Sequence, residues 1–146
     1  MTIRKLIAAS MAVALVVAAC GSSTATQAPA GTGAGSTTVI VKSVAGANIL
    51  VDGASSMTLY VFASDVANSG KSACNGDCAT TWPPLVVPSG TTPSAGAGVS
   101  GKLGTITRDD GTTQVTYNGL PLHHYSGDSS PGDTNGNYPG WSPAKA

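Results

Sequence analysis

Gly104–Tyr125, which reads GTITRDDGTTQVTYNGLPLHHY, is the stretch that decides the fold. Asp110-Gly111 and Asn118-Gly119 divide it into three short runs rich in β-branched and aromatic residues. Both dipeptides favour hairpin turns, because such turns need residues that tolerate a positive φ. The runs are Gly104–Arg108, Thr113–Tyr117 and Leu120–Tyr125. The pattern therefore predicts a three-stranded antiparallel meander.

Similar runs occur earlier in the chain, each bounded by turn residues, at Thr38–Val44, Asn48–Asp52, Met57–Ser64 and Leu85–Val87. No stretch shows sustained helical periodicity. A short helical turn is expected around Asp77–Trp82, and Pro83-Pro84 would end it. The sequence thus predicts a mainly β fold, a small single domain of antiparallel hairpins over residues 38–146.

Two related halves make up this domain, at about residues 45–87 and 104–143, and the Gly/Pro/Ser/Thr/Ala-rich stretch Pro88–Val99 separates them. Each half has a glycine, then a strand with an aromatic pattern, then an Asp and a Trp followed by Pro. The corresponding motif residues are Tyr60, Phe62 and Asp65 in the first half and His123, Tyr125 and Asp128 in the second. A fixed internal pattern of this kind indicates a duplicated unit.

The N-terminal segment predicts where the protein resides. Arg4 and Lys5 precede the apolar run Leu6–Val17, and small residues lead directly to Cys20. This order is typical of a secretory signal peptide, and the apolar run is shorter than the roughly 20 residues that a spanning helix needs. The cysteine makes the segment similar to a lipobox, in which the thiol receives diacylglycerol and becomes the mature N-terminus.

We therefore expect residues 1–19 to be a lipoprotein signal peptide and Cys20 to be lipidated. Residues 20–37, mostly Gly, Ala, Ser and Thr, would form a flexible tether. The predicted location is the extracytoplasmic face of a bacterial cell membrane, with the membrane itself as a partner through the lipid.

Charge argues against nucleic acid as a partner. Without residues 1–19 the chain has five Lys and Arg residues against seven Asp residues, a net charge of −2. A nucleic-acid-binding protein would show a basic patch, and none is visible in the sequence.

Cysteine usage agrees with an oxidising compartment. If Cys20 carries lipid, Cys74 and Cys78 remain as an even pair, which predicts a disulfide that closes a very small loop. The alternative is a dithiol for redox or metal chemistry. Three residues separate these cysteines, whereas a thioredoxin-like motif has two.

The repeat motif carries a more specific resemblance. Tyr60-Val-Phe62-Ala-Ser-Asp65 fits the tandem Tyr-x-(Phe/Trp/Tyr)-x-x-Asp pattern of the bacterial "secreted repeat of unknown function" family of predicted lipoproteins. Other stretches similar to that family are Gly70–Leu85, Arg108–Gly111, Tyr117–Gly119 and Pro131–Gly136. The resemblance covers roughly residues 45–141, and it implies a secreted or lipid-anchored β protein with no established activity.

Two features depart from the family pattern. His123 stands where the second motif would usually begin with Tyr, and the C-terminal end after Asn137 is short. Because Pro139 and Pro143 cannot donate ladder hydrogen bonds, we expect the final strand to be truncated or poorly paired.

The aromatic pairs allow two interpretations. Tyr60 and Phe62 lie two residues apart and share one strand face, as do His123 and Tyr125. They would form a buried core cluster or an exposed platform on which a sugar or another flat ligand stacks.

The polar candidate residues also allow two interpretations each. Asp65 and Asp128 would cap turns or form a catalytic carboxylate pair. His123 and His124 are adjacent and point to opposite faces, so they are either ordinary surface or half-buried histidines, or one of them joins Asp128, Met57 or a Tyr in a copper or zinc site. Asp128–Asn137 is a tight polar loop or a weak calcium site.

These observations favour a non-enzymatic module of the bacterial envelope, with a binding or structural role, no cofactor, and a cell-wall or protein partner. The alternative function is copper or zinc handling, or a redox-associated role, outside the cytoplasm. It depends on His123, His124 and Met57 in an oxidising compartment.

Overall fold

A computed structural model describes residues 38–146. The signal peptide, the lipidation of Cys20 and the tether therefore concern residues 1–37, outside the described residues. Within residues 38–146 no helix is long and apolar enough to cross a membrane.

The described chain is mainly β, as predicted, with one short helix. The strands are β1 (Thr38–Val44), β2 (Ala47–Asp52), β3 (Tyr60–Phe62), β4 (Val86–Val87), β5 (Ser94–Ala95), β6 (Leu103–Thr107), β7 (Thr113–Tyr117), β8 (Leu120–Pro121) and β9 (Trp141–Pro143). Helix α1 spans Asp77–Thr81 and ends where Pro83 and Pro84 follow. The predicted runs overlap seven of these strands, and the predicted helical turn contains α1.

The strands form three small sheets. One has the order β2-β1-β5, a second pairs β3 with β9, and the third has the order β4-β7-β6 with β8 also on β7. All pairings are antiparallel except that of β1 with β5, which is parallel. The predicted meander is confirmed as β6-β7-β8, with positive φ at Gly111, Asn118 and Gly119 in its turns.

The final strand is short, with three residues, but the expectation that it is poorly paired is wrong. β9 pairs with β3 in the register Phe62↔Trp141, Val61↔Ser142 and Tyr60↔Pro143. Pro143 is tolerated because it ends the strand, and Ala144 N–H continues the pairing by donating to the Leu59 carbonyl at 2.8 Å. Residues 141–144 are therefore paired with the first half.

The two halves build one apolar core in the same way. Leu59 N–H donates to the Leu50 carbonyl at 3.0 Å, and Leu122 N–H donates to the Val115 carbonyl at 2.9 Å. The core members are Val39, Leu50, Leu59, Leu85, Val87, Val115, Tyr117, Leu122 and Ala144. Equivalent positions of the duplicated sequence thus meet at equivalent positions of the fold.

The predicted disulfide between Cys74 and Cys78 is present, with the two Cα atoms 5.2 Å apart. Cys74 is fully buried and packs in a second cluster with Tyr60, Trp82 and Trp141. The bond closes the loop that leads into α1, so the covalent link fixes the segment that presents Trp82.

Candidate functional site

The two motif strands meet at their first residues. Tyr60 N–H donates to the His123 carbonyl at 2.8 Å, and His123 N–H donates to the Tyr60 carbonyl at 3.0 Å. Antiparallel residues that exchange both bonds in this way form a hydrogen-bonded pair. Tyr60 and His123 are equivalent positions of the duplication, so this pair lies on an approximate twofold axis between the halves.

Each motif strand then pairs with the Trp segment of the other half. Ala63 N–H donates to the Gly140 carbonyl at 2.8 Å, and Ser126 N–H donates to the Thr81 carbonyl at 2.9 Å. The β3–β9 pairing and the bridge between His123 and Pro84 are the corresponding contacts. The two halves therefore exchange strands, and neither motif is completed within its own half.

Four aromatic rings stack across this boundary in the order Tyr125, Trp82, Trp141 and Phe62. Successive ring centroids are 4.5, 3.9 and 4.4 Å apart, and the two indoles lie within 2° of parallel. The indoles are nearly buried, whereas Phe62 and Tyr125 at the ends are partly exposed. Dispersion and burial in this stack join the halves through their Trp residues.

Tyr60 lies at the edge of the stack and is fully buried, with its ring 5.4 Å from that of Trp82. Tyr138 is half exposed and approaches Tyr125, with the two hydroxyl oxygens 3.1 Å apart. The structure thus places Tyr60 in the core and leaves only the ends of the stack, with Tyr138, at the described surface.

Tyr60 connects the first motif to the acid of the second. Its hydroxyl donates to Asp128 Oδ2 at 2.7 Å, and Asp128 Oδ1 accepts the Asn135 N–H at 3.0 Å. Gly136 N–H donates to the Tyr60 hydroxyl oxygen at 3.3 Å. Burial, together with the Asp128 carboxylate, raises the pKa of Tyr60 well above its ordinary value, so the phenol stays protonated and remains a donor.

The equivalent contact in the other direction, between position 123 and Asp65, differs because His123 stands where the family motif has a tyrosine. Asp65 Oδ1 accepts the Ala73 N–H at 2.6 Å, as Asp128 accepts that of Asn135. Asp65 Oδ2 is buried and has no hydrogen-bond partner among the described residues, whereas Asp128 Oδ2 receives the Tyr60 hydroxyl. Burial raises the pKa of Asp65, since desolvation disfavours its charged form.

His123 is fully buried and belongs to a polar network. Its Nε2 lies 3.1 Å from Gln114 Nε2 and 3.4 Å from Ser72 Oγ. The amide nitrogen can only donate, so Nε2 is the acceptor in that contact and the proton is on Nδ1. Burial, with the positive charge of Arg108, lowers the pKa of His123 to about 3, so the ring is neutral near pH 7.

Arg108 holds the network from the other side. It donates to Gln114 Oε1 at 2.6 Å, to the Cys74 carbonyl at 2.7 Å and to Asn75 Oδ1 at 3.0 Å. Sequence reasoning missed Arg108, Gln114 and Ser72 as parts of the site. A signal was available, since Arg108 is the one arginine after residue 20 and ends a predicted strand.

The predicted metal-ligand candidates do not converge on one point, although Asp65 and His123 share Ser72 and Arg108 as neighbours. His124 Nε2 is 3.8 Å from Asp52 Oδ2, while Asp65, Asp128 and His123 have the partners given above. Burial lowers the pKa of His124, although Asp52 opposes that shift. Among residues 38–146 no group of three or more His, Cys, Asp or Glu side chains is placed to hold a metal ion.

Within the loop Asp128–Asn137, Asp133 directs its carboxylate at the loop's own backbone. Asp133 Oδ2 accepts the N–H groups of Ser129 and Ser130, both at 2.9 Å. The Ser129 N–H contact is the main cause that lowers the pKa of Asp133. These contacts account for the Asp and Ser content of the loop as turn chemistry.

Comparison with known protein families shows to which family this chain belongs. Residues 43–86 and 104–145 match the family described as a secreted repeat of unknown function, and together they cover more than half of the chain. The chain belongs to this family. The comparisons with curated proteins and with solved structures found no match.

The boundaries of the two secreted repeats agree with the strand exchange. The first repeat begins within β1 and the second within β6. Each repeat ends just after the Trp-x-Pro segment that pairs with the other repeat. The stretch between the repeats contains β5, which covers the outer edge of β1. The resemblance found in the sequence is thus confirmed, and the family description, as secreted, indicates a location outside the cytoplasm.

Proposed function

We propose that this secreted-repeat protein is anchored by a lipid on Cys20 at the outer face of the cell membrane and acts there as a binding module, without catalysis. Support for the anchor comes from the charged, apolar and small-residue order that ends at Cys20. Membership of a secreted family supports the compartment.

One observation carries the non-catalytic part of the proposal. Two motif side chains that are capable of acid–base chemistry, Tyr60 and His123, are enclosed by the protein. Tyr60 and His123 are fully buried, and Tyr60 donates its hydroxyl to Asp128 across the repeat boundary. A general acid or base must reach the proton that it transfers, and these groups face protein.

Protonation states agree with this interpretation. A general base works best with a pKa near the operating pH, whereas the pKa of His123 is about 3. The pKa of Tyr60 is shifted in the other direction by burial and by Asp128. Both groups keep one protonation state over the physiological range, as suits side chains that stabilise a fold.

The anchor is tested by cell fractionation of the native chain and of a Cys20→Ser variant. The native chain is expected in the membrane fraction, and the variant is expected as a folded protein outside that fraction. A serine at this position has no thiol with which to form the thioether bond to lipid, while residues 38–146 are unchanged. Membrane retention of the variant would show that Cys20 is not the anchor.

The absence of catalysis is tested with the purified full chain against panels of ester, glycoside, phosphoester and redox substrates. We expect no turnover above buffer. Asp65→Asn and Asp128→Asn are the matched variants, because each keeps the shape of the side chain and removes a carboxylate. Turnover that either variant abolishes would refute the non-enzymatic proposal.

A further inference from the structure

Among residues 38–146 nothing pairs with the outer edge of β6, although its counterpart in the first repeat is covered. In the order β4-β7-β6, strand β6 is the last member, and no backbone hydrogen bond within residues 38–146 reaches its outer side. Its counterpart β1 has β2 on one side and β5 on the other. The duplication therefore provides a direct comparison between a filled edge and an empty one.

The filled edge shows what kind of chain fits. Gly96 N–H donates to the Val39 carbonyl at 2.8 Å, and Val41 N–H donates to the Ala97 carbonyl at 3.3 Å. The covering segment runs parallel to β1, with Ser94 opposite Thr38 and Ala95 opposite Val39. It is uncharged and consists mainly of small residues, PSAGAGV over residues 93–99.

The empty edge has its hydrogen-bonding groups in the same places. Leu103 corresponds to Val39 and Thr105 to Val41, because each sits opposite the equivalent residue of its hairpin partner. Val115, opposite Thr105, uses its own N–H and C=O on the side away from β6, toward Leu85 and Leu122. Thr105 is therefore in a non-hydrogen-bonded pair, and its N–H and C=O point outward.

β6 also lacks the devices that normally protect an edge strand. Exposed edges are usually blocked by charged side chains, proline or bulges. The residues of β6 read LGTIT, with neither charge nor proline. A groove of about 260 Å³ lies over the face shared by β6 and β7, where Gly104 and Thr116 line it together with Lys102. The strand itself therefore carries no charge that would repel an uncharged backbone.

We propose that the outer edge of β6 binds an extended, uncharged, small-residue segment of a partner protein, which adds as a parallel strand. The segment would donate an N–H to the Leu103 carbonyl and accept the Thr105 N–H, as Gly96 and Ala97 do on β1. This inference depends on the proposed binding function and specifies its surface and the class of its partner.

The test uses a synthetic peptide with the sequence of residues 91–100, TTPSAGAGVS, titrated into isotope-labelled full chain in detergent. Shifts of the NMR signals of Leu103–Thr107 should saturate. Methylation of the peptide nitrogen equivalent to Gly96 should weaken binding about tenfold, since it removes one donor and leaves an acceptor unpaired. Methylation at the Ala95 equivalent is the control, because backbone N–H groups alternate sides along a strand and that of Ala95 points away when that of Gly96 points toward the edge, so it should have little effect.

Two variants of the protein complete the test. Thr105→Pro removes the outward N–H without taking a bond from the ladder with β7, and it should weaken binding about tenfold. Thr105→Val keeps the N–H and the β-branched shape and should bind like the native chain. Circular dichroism must show that both variants are folded; if Thr105→Pro is not, the two methylated peptides decide the question on the native chain.

Absence of saturable shifts at millimolar peptide, or equal binding by the two methylated peptides, would overturn the proposal. A concentration-dependent dimer in sedimentation that the peptide does not dissociate would overturn it as well, in favour of a second copy at this edge. Neither result bears on catalysis or on the Cys20 anchor, so the proposed function would fail by its own experiments and not by this one.

Discussion

Tyr60 and Asp128 are joined by a hydrogen bond of 2.7 Å that crosses the boundary between the two repeats. The tyrosine begins the first motif and the aspartate ends the second. The aromatic residue of this contact therefore comes from one repeat and the acid from the other, so the contact forms only when both repeats are present. This arrangement explains why aromatic and acidic positions recur together at a fixed spacing.

Removal of the Tyr60 hydroxyl tests the contact. We expect Tyr60→Phe to lower the free energy of unfolding by about 1–3 kcal/mol, because Asp128 Oδ2 loses its donor in a partly buried site. Urea denaturation measures this loss. Tyr125→Phe is the matched control, since its exposed hydroxyl meets only that of Tyr138, and it should cost about 0.5 kcal/mol or less. Equal losses in the two variants would contradict the assignment.

The second contact is incomplete, and one substitution should restore it. We expect His123→Tyr to place a phenol hydroxyl at Asp65 Oδ2, the buried atom without a partner among the described residues. A double-mutant cycle with Asp65→Asn measures the coupling between the two positions independently of any strain from the larger ring. A favourable coupling of about 1 kcal/mol or more is expected for a hydrogen bond to a carboxylate. Coupling near zero would show that a tyrosine at position 123 does not form a hydrogen bond with Asp65.

Much of the fold was predictable because the hairpins carry local signals. Thr113–Tyr117 was bounded correctly by its two turn dipeptides, and the β-branched pattern located β1 and β2. β5 was not predicted because its two small residues, Ser94 and Ala95, show no alternation in the sequence, and their strand conformation depends on pairing with β1. β9 is obscured in the sequence by Pro139 and Pro143, because only the pairing with β3 shows that Pro143 ends the strand.

The site was less predictable, and the reason is the strand exchange. Tyr60 and Asp65 lie in one motif, which suggests a contact within that motif, whereas Tyr60 pairs with Asp128. The sequence showed the duplication, but nothing local states which half completes which motif. The same limit applies to Trp82 and Trp141, whose parallel stacking at 3.9 Å depends on the exchange.

The depressed pKa of His123 predicts a pH dependence of stability. The unfolded ring has a pKa of 6.5 and the folded ring about 3, so the unfolded state binds more protons between these values. The unfolding free energy should therefore fall as pH decreases from 6.5 toward 3, by up to about 1.4 kcal/mol per pH unit from this group. Urea denaturation in a series of buffers measures the slope.

His123→Gln should flatten that slope, and the comparison is made in a His124→Gln background because the pKa of His124 is also lowered by burial. Asp65 acts in the opposite direction. Its raised pKa means that the folded state binds more protons, so protonation of Asp65 adds stability as pH falls through that raised value toward the ordinary one of 3.8. An unchanged slope in His123→Gln would refute the buried neutral histidine.

The disulfide should contribute a modest and measurable stability. It links Cys74 to Cys78, four positions apart, and the loop-closure relation gives about 2 kcal/mol for so small a loop. Arg108 holds the same loop through the Cys74 carbonyl and Asn75, so we expect the reduced chain to remain folded. Urea denaturation with and without dithiothreitol, in the Cys20→Ser background, measures the difference. A Cys74→Ser/Cys78→Ser variant should match the reduced chain and be insensitive to the reductant. Complete unfolding on reduction would show that the polar network depends on the covalent bond.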